Sequence, residues 1–343
     1  MRRGILHFLA VILCVSCAPG LTPHNLPDRL ANAGRRAELE RTWEIEDLVK
    51  RLASPDDRER ADAFSLLRQK GPEAKPALFR AATSGTPLVE LDAVKLIALL
   101  KDPATIAPML EIARNSSNAD LRLEAIAALA LLGDRAAVPG ILLVAEREKA
   151  LFIKQRIART LGSLKDARAI PLLLKWLAQE EFHLRIESIR ALGFVGDREA
   201  VVPLMNHWRG LSGHERPEEQ TEIADALGTI GSREATSLLR EKLGSSPSIL
   251  VRSSCARALG AIGDESAIDD LMTALQNPSN ALFWSAHRSL VKITGVNCYS
   301  ATEDREEARK KTFDAWHAWR RGRQKSQIPR TNQTPISNIQ IRD

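Results

Sequence analysis

Apolar residues in this chain recur in short amphipathic stretches punctuated by glycine and aspartate. Leu184, Ser188, Ile189, Leu192 and Val195 fall at i, i+4, i+5, i+8 and i+11, one face of a helix over 184–196. Gly196 follows as a left-handed stop. Residues 163–178 predict a partner helix before it. Asp166 can cap that helix, and Pro171 falls early, where a missing N–H is best tolerated. The same two-helix grammar then returns along the chain. RALGFVGD starts at Arg190 and RALGAIGD at Arg257, 67 residues later. Equivalent turn positions are Asp102, Asp134, Asp166, Asp197, Ser232 and Asp264, at steps of 32, 32, 31, 35 and 32. Further copies begin at Asp62, Asp92 and Arg288. The longer step holds an insertion, LSGHERPEEQ, from Leu211 to Gln220.

A period near 30–35 kept this long predicts a stack in which each unit supplies its neighbour's core. The expected fold is all-α, an α-solenoid of about seven to eight helical hairpins over residues 43–297. Small residues recur four positions after the first apolar one (Ala93, Ala125, Ser188, Cys255, Ala286), which lets neighbouring helices approach closely. Residues 18–42 read as a linker or helix ahead of the array. A last helix, with Phe313, Trp316 and Trp319 three apart on one stripe, reads as a cap within 298–321. The polar, basic stretch 322–343 is expected to be disordered.

Composition supports helices: 44% of residues are hydrophobic but only 4% aromatic, with one tyrosine. The net charge of +6 is unevenly placed. Residues 309–330 carry eight Lys and Arg against Asp314 alone, so residues 18–308 are left at −3. The body therefore lacks the basic groove that gripping duplex DNA requires, and no nucleic-acid partner is expected.

The repeat grammar xVRxxAxxALGxIGDxxAxxxL resembles the HEAT-repeat family, in the form seen in phycobilisome-lyase-like proteins. The likeness runs from about Trp43 to Asn297. It implies an αα-superhelix whose second helices line a concave face, and a scaffold or adaptor role.

The first residues, MRRGILHFLAVILCVSCAPG, give two arginines, an apolar run from Ile5 to Val15, and small residues. That order reads as a secretory signal over 1–17, with a run too short to span a bilayer stably. Ser16-Cys17 resembles a bacterial lipoprotein signal, in which the cysteine is acylated and becomes the mature N-terminus. An ordinary cleaved signal or an uncleaved helix are the alternatives. The resemblance implies a lipid anchor at Cys17 and a periplasm-facing protein of the cell envelope, with Ala18 favouring the outer membrane. Of the other cysteines, Cys255 and Cys298 fall too far apart along two helices for a disulfide, and Cys255 reads as a small buried residue.

No catalytic constellation emerges. The chain has no Gly-rich phosphate loop, HExxH, paired-cysteine metal site or GxSxG. Deoxyhypusine hydroxylases, which are HEAT-repeat enzymes, hold two irons with His-Glu pairs at the starts of second helices. The matching pairs here are Leu91-Asp92, Leu123-Glu124, Gln155-Arg156, Ile186-Glu187, Thr221-Glu222 and Ser253-Ser254. Carboxylates occur four times and histidine never, which disfavours that site. No catalytic residue, metal or cofactor is expected.

What remains is a surface. Arg159, Arg190, Arg257 and Arg288 share the sixth position after each unit's first apolar residue. Leu99, Leu131 and Phe194 share the tenth, where an apolar side chain gains nothing from water. Pairs such as Asp92–Lys95 and Glu187–Arg190 also fit a merely solvated face, each worth about 0.2–0.5 kcal/mol. The functional expectation is an exported, lipid-anchored, non-catalytic scaffold that binds a protein or peptide through these residues. The alternative is a lyase-like or metal-dependent HEAT-repeat enzyme or chaperone acting on a cofactor-bearing protein.

Overall fold

A computed structural model describes residues 26–211, 216–302 and 304–327. The expected signal over 1–17 with Cys17, part of the insertion (212–215) and the tail beyond 327 lie outside the described residues. The described residues contain α-helices, 3-10 turns and no strand, so the fold is an all-α solenoid. The chain divides into two compact units, residues 1–101 and 102–343.

The first unit contains α1 (Leu26–Arg51), α2 (Asp57–Lys70), α3 (Lys75–Ala81) and α4 (Pro87–Leu99). Asp56 accepts the Arg58 N–H at 2.9 Å to cap α2, and acidic residues fill its first turn. α1 packs on α2 and α3, and α4 packs on both of these as well. Leu52, Leu67, Leu78 and Ile97 are buried between them.

The second unit stacks six hairpins. They pair α5 (Ile106–Asn115) with α6 (Ala119–Leu132), α7 (Val138–Arg147) with α8 (Leu151–Leu164), and α9 (Ile170–Leu177) with α10 (Phe182–Val195). Then come α11 (Val201–Gly210) with α12 (Pro217–Ile230), α13 (Thr236–Ser245) with α14 (Ile249–Ile262), and α15 (Ile268–Ala274) with α16 (Asn280–Thr294). α17 (Arg305–Gln327) follows.

Each hairpin opens the same way. The turn aspartate, replaced by Ser232 ahead of α13, accepts the N–H two residues on, as Asp166 does from Arg168 at 2.9 Å. This heads a 3-10 turn (Ala167–Ala169) that leads into α9. The expected helix over 163–178 is therefore shorter at its start, because the aspartate caps the turn rather than the helix. Gly196 ends α10 at φ 74°, as expected. At the same point after α8, Lys165 adopts φ 52° without glycine's freedom.

Second helices pack on one another along the row far more extensively than first helices do. The reason lies in the repeated octapeptide. A Cβ on Gly193 would stand 2.9 Å from Ala226 Cα, and one on Gly162 would stand 2.8 Å from Ala191 Cα. Gly228 meets Ala258 and Gly260 meets Ser289 in the same way. The alanine of each RALG thus seats on the glycine of the unit before, and its own glycine receives the unit after. The recurring small residues Ala125, Ser188, Cys255 and Ala286 are fully buried in this layer. Cys255 lies midway along α14, and burial raises its thiol pKa.

α17 closes the last hairpin. Trp316 is fully buried, and its Nε1–H donates to His287 Nδ1 at 2.9 Å. Burial, helped by Arg288, lowers the His287 pKa, which favours the neutral acceptor. Trp319 packs edge-on against Trp316, and Phe313 stacks beside His317. The helix runs to Gln327, six residues past its expected end, so 322–327 are helical rather than tail.

Candidate partner-binding face

The arginine of the repeat grammar has a local task. Arg122 donates to the Ser116 carbonyl at 3.0 Å, Arg185 to the Gln179 carbonyl at 3.0 Å, and Arg252 to the Leu243 carbonyl at 2.8 Å. Each satisfies a backbone acceptor left free where the preceding first helix ends. Phe283 stands at this position in the last hairpin. There Arg309 of α17 lies over the Phe283 ring and donates to the carbonyls of Pro278 and Asn277.

The sixth-position arginines project from the second helices and are half-exposed. Arg159 forms a two-pronged pair with Glu187 of the next helix, at 2.8 and 3.2 Å. Arg190 does the same with Glu222, its Nε at 2.9 Å, and also reaches Glu187 at 3.3 Å. Arg257 turns back to Asp225 at 2.9 Å, because Ser285 holds the place of the next carboxylate. Burial raises the Asp225 pKa, and Arg257 opposes that rise. Three of the four arginines are thus neutralised inside the chain. Arg288 makes no ion pair or hydrogen bond with any described residue.

Phe194 is 54% exposed and Leu131 47% exposed, both on second helices of the second unit. Leu99 belongs to the first unit, where it is also exposed. The expected Asp92–Lys95 and Glu187–Arg190 pairs are present, at 3.4 and 3.3 Å.

One cluster was missed by the sequence reading. Glu219 is fully buried at the first apolar position of α12, where the sister helices carry Val89, Leu121, Ile153, Leu184, Val251 and Leu282. Its carboxylate receives Arg185 at 2.9 and 3.1 Å, and His207 Nε2 stands 2.6 Å away. His207 itself replaces the apolar Ile112, Val144 and Trp176 of earlier first helices. Burial pushes the Glu219 pKa up, but hydrogen bonds from His207 and Arg185 outweigh it and hold the carboxyl at about 2. The signal is a glutamate in an aliphatic register, obscured because LSGHERPEEQ reads as an insertion through Gln220 whereas α12 already starts at Pro217.

No group of three or more His, Cys, Asp or Glu among the described residues is placed to hold a metal ion. No described helix is long and apolar enough to cross a membrane.

A stack of helical hairpins with a charge-laced second-helix face defines the α-solenoid class. The chain belongs to the HEAT-repeat family, whose HEAT repeats match residues 45–130, 106–181, 138–210 and 209–290. No curated protein matches it. Among solved structures, the Escherichia coli protein YibA is 18% identical, with 71% of this chain and 91% of that one covered, at a TM-score of 0.49. Human deoxyhypusine hydroxylase with glycerol is 18% identical, covering 76% and 99%, at a TM-score of 0.34. The complex of CpcE and CpcF of phycocyanin lyase from Nostoc sp. PCC7120 is 19% identical, covering 88% and 97%, at 0.37.

Proposed function

We propose that the protein is a non-catalytic scaffold of the cell envelope, anchored through lipid on Cys17, that docks a protein or peptide partner on its second-helix face. Family membership supports a helical interaction role. Ser16-Cys17 after an apolar run supports the anchor. The observation that carries the docking face is the exposure of Phe194 and Leu131 on a surface whose charges are largely paired with one another. Such a strip offers apolar contact ringed by polar groups. Of the four arginines in this column, Arg159, Arg190 and Arg257 are already paired within the chain.

Affinity capture of the full-length protein from its native envelope, followed by reconstitution with the purified partner, tests this reading. A stoichiometric complex, with the scaffold's mature chain starting at an acylated Cys17, is the expected result. A preparation that carries bound metal or chromophore and holds no protein partner would overturn it.

A further inference from the structure

Along the second-helix row of residues 102–294, charge pairing follows a register. Where the next unit offers a third-position carboxylate, the sixth-position arginine takes it, as Arg159 takes Glu187 and Arg190 takes Glu222, whereas Arg257, facing Ser285, turns back to Asp225. Arg288 stands in the same column of α16, and among the described residues no further hairpin follows it to supply a carboxylate. Trp284, Arg288 and Lys292 lie at i, i+4 and i+8, on one side of the helix. Lys292, like Arg288, is exposed and forms no ion pair or hydrogen bond with a described residue. The Tyr299 ring packs edge-on to Trp284 at 5.8 Å and remains 50% exposed.

We infer that this strip of Trp284, Arg288, Lys292 and Tyr299 receives an acidic segment of the protein partner. One carboxylate would engage Arg288 as the next unit's glutamate engages Arg190, and an adjacent apolar side chain would lie on Tyr299. Charge complementarity selects this occupant. The two cations are unopposed on their helix, which carries no acidic residue. A nucleic-acid strand fits less well. A phosphodiester track leaving the strip along the row would meet Asp225, Glu222 and Glu187.

The inference rests on the scaffold reading and fails separately from it. The test is fluorescence anisotropy of the full chain with a labelled peptide of alternating glutamate and leucine, and with a single-stranded DNA oligonucleotide of equal charge. Saturable peptide binding that weakens as salt rises is expected. Arg288→Glu with Lys292→Glu should weaken it about tenfold or more. Tyr299→Ala should weaken it less, and Arg114→Gln, at an exposed position on the first helix α5, should leave it within about threefold. Circular dichroism melts establish that each variant folds, and Tyr299→Ala carries the test if the double variant does not. Unchanged peptide binding in the folded double variant would overturn the inference, as would equal loss in Lys310→Glu with Lys311→Glu. Tighter binding of the oligonucleotide through the same residues would replace the peptide with nucleic acid. A captured partner that binds the double variant as it binds wild type sinks this inference alone, whereas capture of no partner sinks the scaffold reading.

Discussion

Helices α10 and α12 are joined by two arginine–glutamate pairs of the same type and opposite circumstance. Arg185 and Glu219 have side-chain exposures of 6% and 0%, whereas Arg190 and Glu222 have 44% and 23%. In the buried pair every strong donor has a place: Arg185 also caps backbone carbonyls, and His207 shares the Glu219 carboxylate. In the exposed pair water competes for both partners, and salt screens what remains. The chemistry is identical, but burial makes one pair a fixed part of the core and leaves the other an adjustable surface.

The comparison is broken most sharply by removing each acid in turn. Glu219→Ala would leave Arg185 buried and uncompensated, and should cost about 3–5 kcal/mol in denaturant-monitored unfolding. A smaller loss would mean that the cluster is hydrated and the contrast with Arg190–Glu222 is false. Acid should report the same cluster. The folded Glu219 pKa is depressed to about 2, so its stabilisation is complete above the unfolded value of about 4.3 and lost as pH falls through about 2. Wild type should lose on the order of 3 kcal/mol more than Glu219→Gln over that window, measured as the difference in their pH–stability curves.

The α10–α12 contact can also be attacked without touching charge. Gly193→Ala adds a Cβ only 2.9 Å from the Ala226 backbone, so the helices must separate, at a cost of about 1–3 kcal/mol in thermal or chemical unfolding. Stability equal to wild type would mean that this layer yields easily. The smallest effect belongs to the exposed pair. Glu222→Gln should cost less than about 1 kcal/mol and should become neutral at high salt.

Much of the fold was legible because its determinants are local and recur. The turn aspartate, the left-handed glycine and the 3.6-residue apolar period each act within one unit, and the near-constant spacing of Asp102 through Asp264 exposed the stack directly. The binding surface was less legible because its electrostatics act between units. Within one helix, Glu187 and Arg190 read as an i, i+3 pair, and that pair exists. The stronger bond from Arg190 to Glu222 depends on how two helices 32 residues apart are set side by side. Pairing of this kind ties Arg159, Arg190 and Arg257 to carboxylates of neighbouring units and, of the four, leaves Arg288 alone. The Gly193–Ala226 seat was hidden for the same reason. Its glycine reads as a weak helix residue until the neighbouring backbone is placed against it.

Site-directed photo-crosslinking in the reconstituted complex tests the docking face most directly. Phe194 and Leu131 are exposed on second helices, and Val202 and Leu143 are comparably exposed on first helices. A photo-reactive phenylalanine analogue at position 194 or 131 should crosslink the partner, and the same analogue at 202 or 143 should not. Crosslinks from 202 and 143 with none from 194 and 131 would put the partner on the first-helix side and contradict the account.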